Sequence, residues 1–140
     1  MKNIFIKLVL INLLTIFPLQ ASSGSYFDKG KKLFDNKNFE KSKIFFEKDI
    51  VFNPKSEKSY LYLAKIFNKN SNDEQLESNL NTVLLLNPIN DEALYMLTIL
   101  KIKQSDYSKA KELIDTFTLV CKSFCGKKSE MEEKLKTLTP

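Results

Sequence analysis

Two cysteines, Cys121 and Cys125 in CKSFC, are the residues of this chain best suited to covalent chemistry. Thiols at this spacing can close a disulfide, cycle as a redox dithiol, or hold a soft ion such as Cu(I). Dithiol oxidoreductases use a tighter C-x-x-C at a helix N-terminus, where the dipole lowers the thiol pKa. Here the pair follows a helical stretch, at the end where the dipole disfavours a thiolate. In an oxidising compartment a lone nearby pair reads first as a structural bridge, with Gly126 marking a helix end that relaxes the awkward i, i+4 geometry. A thiol redox or Cu(I)-handling role through Cys121 and Cys125, and a free or intermolecular thiol, stand beside it as alternatives.

Little else in the chain is equipped for catalysis. All 22 basic residues are Lys, with no Arg, no His and no Trp. The missing His removes the commonest general base near neutral pH and the commonest zinc ligand. Glu130, Glu132 and Glu133 cluster where they complement the dipole of a last helix, so neither a catalytic set nor a metal or cofactor site is expected. The remaining chemistry is binding chemistry. Phe27, Lys31 and Phe34 share one helical face; Lys58, Leu61, Lys65 and Asn68 share another, with Lys69 beside them; Glu92, Tyr95, Ile99 and Ile102 share a third, with Lys103 nearby. The net charge of +5 is modest, and without Arg or clustered base platforms nucleic acid is not an expected partner.

The first residues, MKNIFIKLVLINLLTIFPLQASS, place Lys2 and Lys7 before an apolar run, Leu8 to Leu19, and then Ala21-Ser22-Ser23. This is the layout of a secretory signal peptide over residues 1–23, cleaved after Ala21 or Ser23. The run is short for a membrane span and is interrupted by Asn12 and Pro18. The lysine and asparagine bias fits an AT-rich bacterial genome, so the expected location is periplasmic or secreted. Membrane contact is expected only through an uncleaved signal or a partner complex.

What must position these residues is legible as a period. After the signal, amphipathic stretches alternate with polar breaks rich in Asn, Pro and Ser, and no strand-like alternation competes. Seven helices are expected, at about 24–36, 39–52, 56–69, 73–86, 90–103, 107–120 and 129–138. FNPKSEKSYLYLA and LNPINDEALYMLT put Pro54 and Pro88 34 residues apart. Steps of 34 also align Tyr26, Tyr60 and Leu94 as large residues; Gly30, Ala64 and Thr98 as small ones; then Phe39, Asp73 and Tyr107; Ser42, Leu76 and Ala110; Phe46, Leu80 and Ile114. Small facing large lets antiparallel helices approach, and stacked pairs bury the core that no single pair can.

These columns resemble the tetratricopeptide repeat (TPR) family over about residues 23–124, most closely in the first repeat; repeat two departs at Asp73 and Leu76, and repeat three lacks the aromatic start and the closing proline. A closing C-x-x-x-C before a final helix is similar to exported repeat proteins of proteobacteria. The resemblance implies an all-α, right-handed solenoid over 24–140, with repeats at about 23–56, 57–90 and 91–124 and a capping helix at 129–138. In that helix Ser129 and Glu132 have capping-box spacing, and Met131 and Leu135 would cover the last repeat. It also implies a concave groove lined by the first helix of each pair, hence by Phe27, Lys31, Phe34, Lys58, Leu61, Lys65, Asn68, Lys69, Tyr95, Ile99 and Lys103. Such a lining suits a protein or peptide carrying carboxylates and an apolar anchor. Self-association through Phe27 and Phe34 is a further expectation.

Overall fold

The computed structural model describes residues 25–138. The expected signal segment and its cleavage sites lie outside the described residues. Six helices form three antiparallel pairs: α1 (Tyr26–Asp35) with α2 (Phe39–Phe52), α3 (Glu57–Lys69) with α4 (Asp73–Leu86), and α5 (Asp91–Lys103) with α6 (Tyr107–Val120). A 3-10 turn, Cys125–Lys127, leads into α7 (Lys128–Leu138).

Within each pair the turn is built identically. Lys37, Ser71 and Ser105, spaced by 34, all adopt left-handed backbone conformations with φ of 60°, 54° and 62°. The N–H of each donates to the carbonyl three residues back, and the next N–H to the carbonyl five residues back, as in Asn38 to Leu33, Asn72 to Phe67 and Asp106 to Lys101. This double bond pattern satisfies the carbonyls that a helix end leaves open. The following residue, Asn38, Asn72 or Asp106, then caps the second helix by accepting from the N–H three positions on.

The expected columns form the core. Gly30 carries the backbone of α1 so near Phe46 that an added Cβ would lie 2.8 Å from the ring, and Ser42 Oγ donates to the Gly30 carbonyl at 2.8 Å. Ala64, Thr98 and Ala110 are fully buried, as are Phe46 and Leu80. First helices touch at the two ends of the stack, α1 with α3 and α5 with α7, whereas no two second helices come as close among the described residues. The first helices therefore lie on the inside of the curve.

The C-terminal helix departs from expectation in detail. Helical structure begins at Cys125, and Ser129 lies inside α7, so it is not the cap of a capping box. Gly126 keeps a negative φ and does not end a helix. The reason is the period: Cys125 stands 34 residues after Asp91, the first residue of α5. The 3-10 turn and α7 thus occupy the place of the first helix of a fourth repeat. Met131 is fully buried and Leu135 packs against the core. Position 132, which aligns with Gly30, Ala64 and Thr98, is an exposed glutamate that no second helix could cover cheaply. A polar outer face at that point is what ends a solenoid.

Candidate functional site

The first helices bring the expected groove residues onto one side of the stack, in two parts with different chemistry. Between the first and second pairs lies an aromatic cluster. Phe27 packs against Phe46 and Tyr62 with ring centroids 5.8 and 5.7 Å apart, and Phe34 sits edge-on to Phe39 and Tyr62 at 5.2 and 4.9 Å. Phe46 stacks on Tyr62 at 5.0 Å. Phe27 and Phe34, expected to line the groove, are half-buried in the seam between the repeats. Tyr62, which binds the seam together, was not singled out in the sequence. Its position four residues after Lys58 on the same face was the available signal.

Lysines edge this cluster. Lys58 Nζ lies 5.9 Å from the Phe27 ring centroid, Lys65 Nζ 4.9 Å from Tyr62, and Lys69 Nζ 4.7 Å from Phe39. Lys65 also pairs with Glu92 of the next repeat at 2.8 Å, and Lys31 with Asp35 at 2.6 Å. Its hydrogen bond to Asp35, with help from Tyr62, raises the Lys31 pKa above the ordinary lysine value. Lys58 and Lys69 are exposed and have no carboxylate in ion-pair range among the described residues. They are the cations most available to a partner.

Between the second and third pairs the surface opens into a cavity of about 220 Å³. Asn68, Tyr95, Ile99 and Lys103, all expected groove residues, meet there with Leu76 and Met96. Lys103 is held at the rim by Asp73, 2.6 and 2.8 Å from its two carboxylate oxygens. The volume is below the roughly 300–1,000 Å³ of small-molecule sites and matches an apolar side chain of a longer ligand. Ile102 is buried, not groove-facing: with α7 in place it lies between α5 and the end of the stack. Leu61 is half-buried against the core.

Tyr95 links the groove to the C-terminal cap. Its hydroxyl donates to Glu130 Oε1 at 3.1 Å, and Lys127 pairs with Glu130 at 2.8 Å and lies 5.4 Å from the Tyr95 ring. Burial and the Glu130 bond raise the Tyr95 pKa, while the Lys127 bond lowers that of Glu130.

The cysteines close a disulfide, with Cα atoms 5.3 Å apart. Cys121 has left the helix for an extended conformation as the C-cap of α6, which removes the strain of a helical i, i+4 bridge. Inside the bridged loop the N–H groups of Lys122, Ser123 and Phe124 donate to Asp91 Oδ2 at 2.7, 2.6 and 2.9 Å. Burial would push the Asp91 pKa up, but these backbone donors outweigh it and hold the carboxyl below its ordinary range. Glu57, 34 residues earlier, likewise accepts from Asn87 and Asn90 in the preceding inter-repeat turn. Neither acid was singled out in the sequence. A carboxylate at the first position of both helices was the signal.

Three helix pairs stacked in one register, each with the same left-handed turn and the same small-against-large contact, decide the architecture. This is the tetratricopeptide repeat fold. Solved TPR domains superpose on the chain: the TPR2B domain of yeast Sti1 in its pHsp70 complex (TM-score 0.71, 16% identity, covering 79% of this chain and 92% of that one) and the second TPR domain of human RPAP3 with the HSP70 peptide SGPTIEEVD (0.70, 17%, 80% and 92%). The Sgt2 TPR domain of Aspergillus fumigatus aligns at a TM-score of 0.64 with 16% identity, over 80% of this chain and 73% of that one. No protein-family model and no curated protein matches the sequence. TPR architecture survives here because its columns require a size class and a burial state, which many residues satisfy.

Proposed function

We propose that this protein is a non-enzymatic adaptor that holds a protein or peptide along its concave face, in the periplasm or outside the cell. The observation that carries this reading is the inter-repeat cavity, where Asn68, Tyr95, Ile99 and Lys103 from two successive first helices converge on a space sized for one side chain. Lys58 and Lys69 extend a cationic lining away from it, suited to carboxylates on the same ligand. The RPAP3 domain of like fold is described with SGPTIEEVD, which combines carboxylates with aliphatic side chains, the chemistry this groove is shaped to take. The secretory layout of residues 1–23 and the Cys121–Cys125 bridge support an oxidising compartment. A redox or Cu(I) role for the cysteines has no favouring observation, since the bridge serves to hold the loop that Asp91 anchors.

The test is crosslinked capture of companions from cell envelopes by the wild type, by a Lys58→Glu/Lys69→Glu variant and by Ile99→Asp, with mass-spectrometric identification. Loss of the same companion from both groove variants, with unchanged melting temperature, is expected. A companion retained by both would overturn the groove as the binding site.

A further inference from the structure

The opposite edge of the solenoid carries a feature that neither the fold nor the groove uses. Val51, Leu85 and Leu119 are spaced by 34 and stand next to last in the second helix of each pair, yet they are 73%, 81% and 85% exposed. Phe52 beside Val51 is 74% exposed, and Ile89 projects from the second inter-repeat turn. A single exposed leucine is ordinary on any protein surface. The same position left apolar and uncovered on three successive repeats forms a line, and packing does not explain it, because the columns that do pack, such as Phe46, Leu80 and Ile114, are buried.

The charge along this edge has one sign. Residues 51–55, 85–90 and 119–123, which form its helix ends and turns, include Lys55 and Lys122 and contain no Asp or Glu. The carboxylates at the helix starts beside these turns are engaged: Asp28 accepts from Ser25, Glu57 from Asn87 and Asn90, and Asp91 from the 122–124 backbone, while Glu47 and Asp115 lie a full turn back from Val51 and Leu119. The groove cavity is lined by none of these apolar residues. The edge offers protruding side chains. Tyr26 stacks on Phe52 with centroids 5.4 Å apart, so the start of α1 lies at this edge.

We propose that this edge docks on an anionic lipid bilayer, with Val51, Phe52, Leu85, Ile89 and Leu119 entering the interface and Lys55 and Lys122 meeting the headgroups. Protruding aliphatic and aromatic side chains gain by leaving water for the acyl boundary, and lysines extend their stems along it while keeping their ammonium groups on the phosphates. Docked this way the molecule presents the other edge, with the Asn68–Lys103 cavity, away from the membrane.

The chain lacks Trp, so Leu85→Trp and Leu119→Trp each create a single reporter, with Ser78→Trp, two turns back along α4 and exposed, as the control. The full chain is mixed with vesicles of phosphatidylglycerol and phosphatidylethanolamine, or of phosphatidylcholine, with and without brominated lipid. Blue-shifted emission and bromine quenching at positions 85 and 119 but not 78 are expected, on the anionic vesicles only. Lys55→Glu/Lys122→Glu should weaken that binding by about tenfold or more. The proposal is overturned if the protein floats with vesicles while all three reporters respond alike, since attachment would then come from the residues before Ser25. Equal binding to phosphatidylcholine, no binding, or a shift that grows with protein concentration without lipid, the mark of a second copy covering the edge, would each overturn it as well.

Discussion

At the scale of single residues, Asp91 does the most with one group. Its carboxylate gathers three backbone N–H donors from the bridged loop, and its pKa lies below the ordinary 3.8. A carboxyl whose pKa is depressed on folding contributes stability in full above its unfolded value and loses it as the pH falls through the folded one. Asp91→Ala should therefore cost about 1–3 kcal/mol at neutral pH, and the gap from wild type should narrow as the pH falls below the ordinary 3.8. Chemical denaturation at neutral and at acid pH measures this. None of it was legible in the sequence, where Asp91 is one acid at a helix start and its donors lie 31 to 33 residues away. Ser42 and Gly30 were legible, because a small residue repeating at a fixed period has a packing reason wherever it falls.

At the scale of elements, the helices followed their sequence signals closely, with boundaries that moved by one or two residues except at the C-terminus. Asparagine and aspartate caps, proline after the second helices and apolar periodicity are local effects, and local effects are what a sequence displays. The turns add a prediction. Lys37, Ser71 and Ser105 hold left-handed conformations that glycine adopts without steric cost. A non-glycine residue there costs roughly 1–2 kcal/mol, against the roughly 0.5–1 kcal/mol of extra chain entropy that glycine loses on folding. Ser71→Gly and Ser105→Gly should each stabilise by about 0.5–1 kcal/mol, read from the shift in denaturation midpoint, and no gain at either site would show that the neighbouring side chains favour the turn as it stands. The helix α7 shows where local reading ends: Ser129 and Glu132 have the spacing of a capping box, but the period of the whole stack carries the helix back to Cys125.

At the scale of the molecule, each pair is supported only by its neighbours, so the ends are the weakest places. The bridge and the Asp91 anchor hold the final half-repeat, whose Met131 closes the core. Closing so short a loop contributes about 2 kcal/mol in the chain-entropy model. Cys121→Ser/Cys125→Ser should therefore raise hydrogen exchange across residues 125–138 first, leaving 57–69 protected, and uniform loosening of the whole chain would show that the cap is not a separate unit. The all-α class, the 34-residue period, the paired helices and the small-against-large columns were determined by the sequence alone, since each follows from residue size and polarity repeating along the chain. Tertiary structure alone decided which lysines are satisfied by carboxylates, that Phe27 and Phe34 serve the seam between repeats, and that a cavity opens at Tyr95 and Ile99. It alone set Val51, Leu85 and Leu119 in one uncovered line. Those outcomes depend on which side chains from different repeats come within a few ångströms of one another, and that depends on the curvature of the stack, which no stretch of sequence contains.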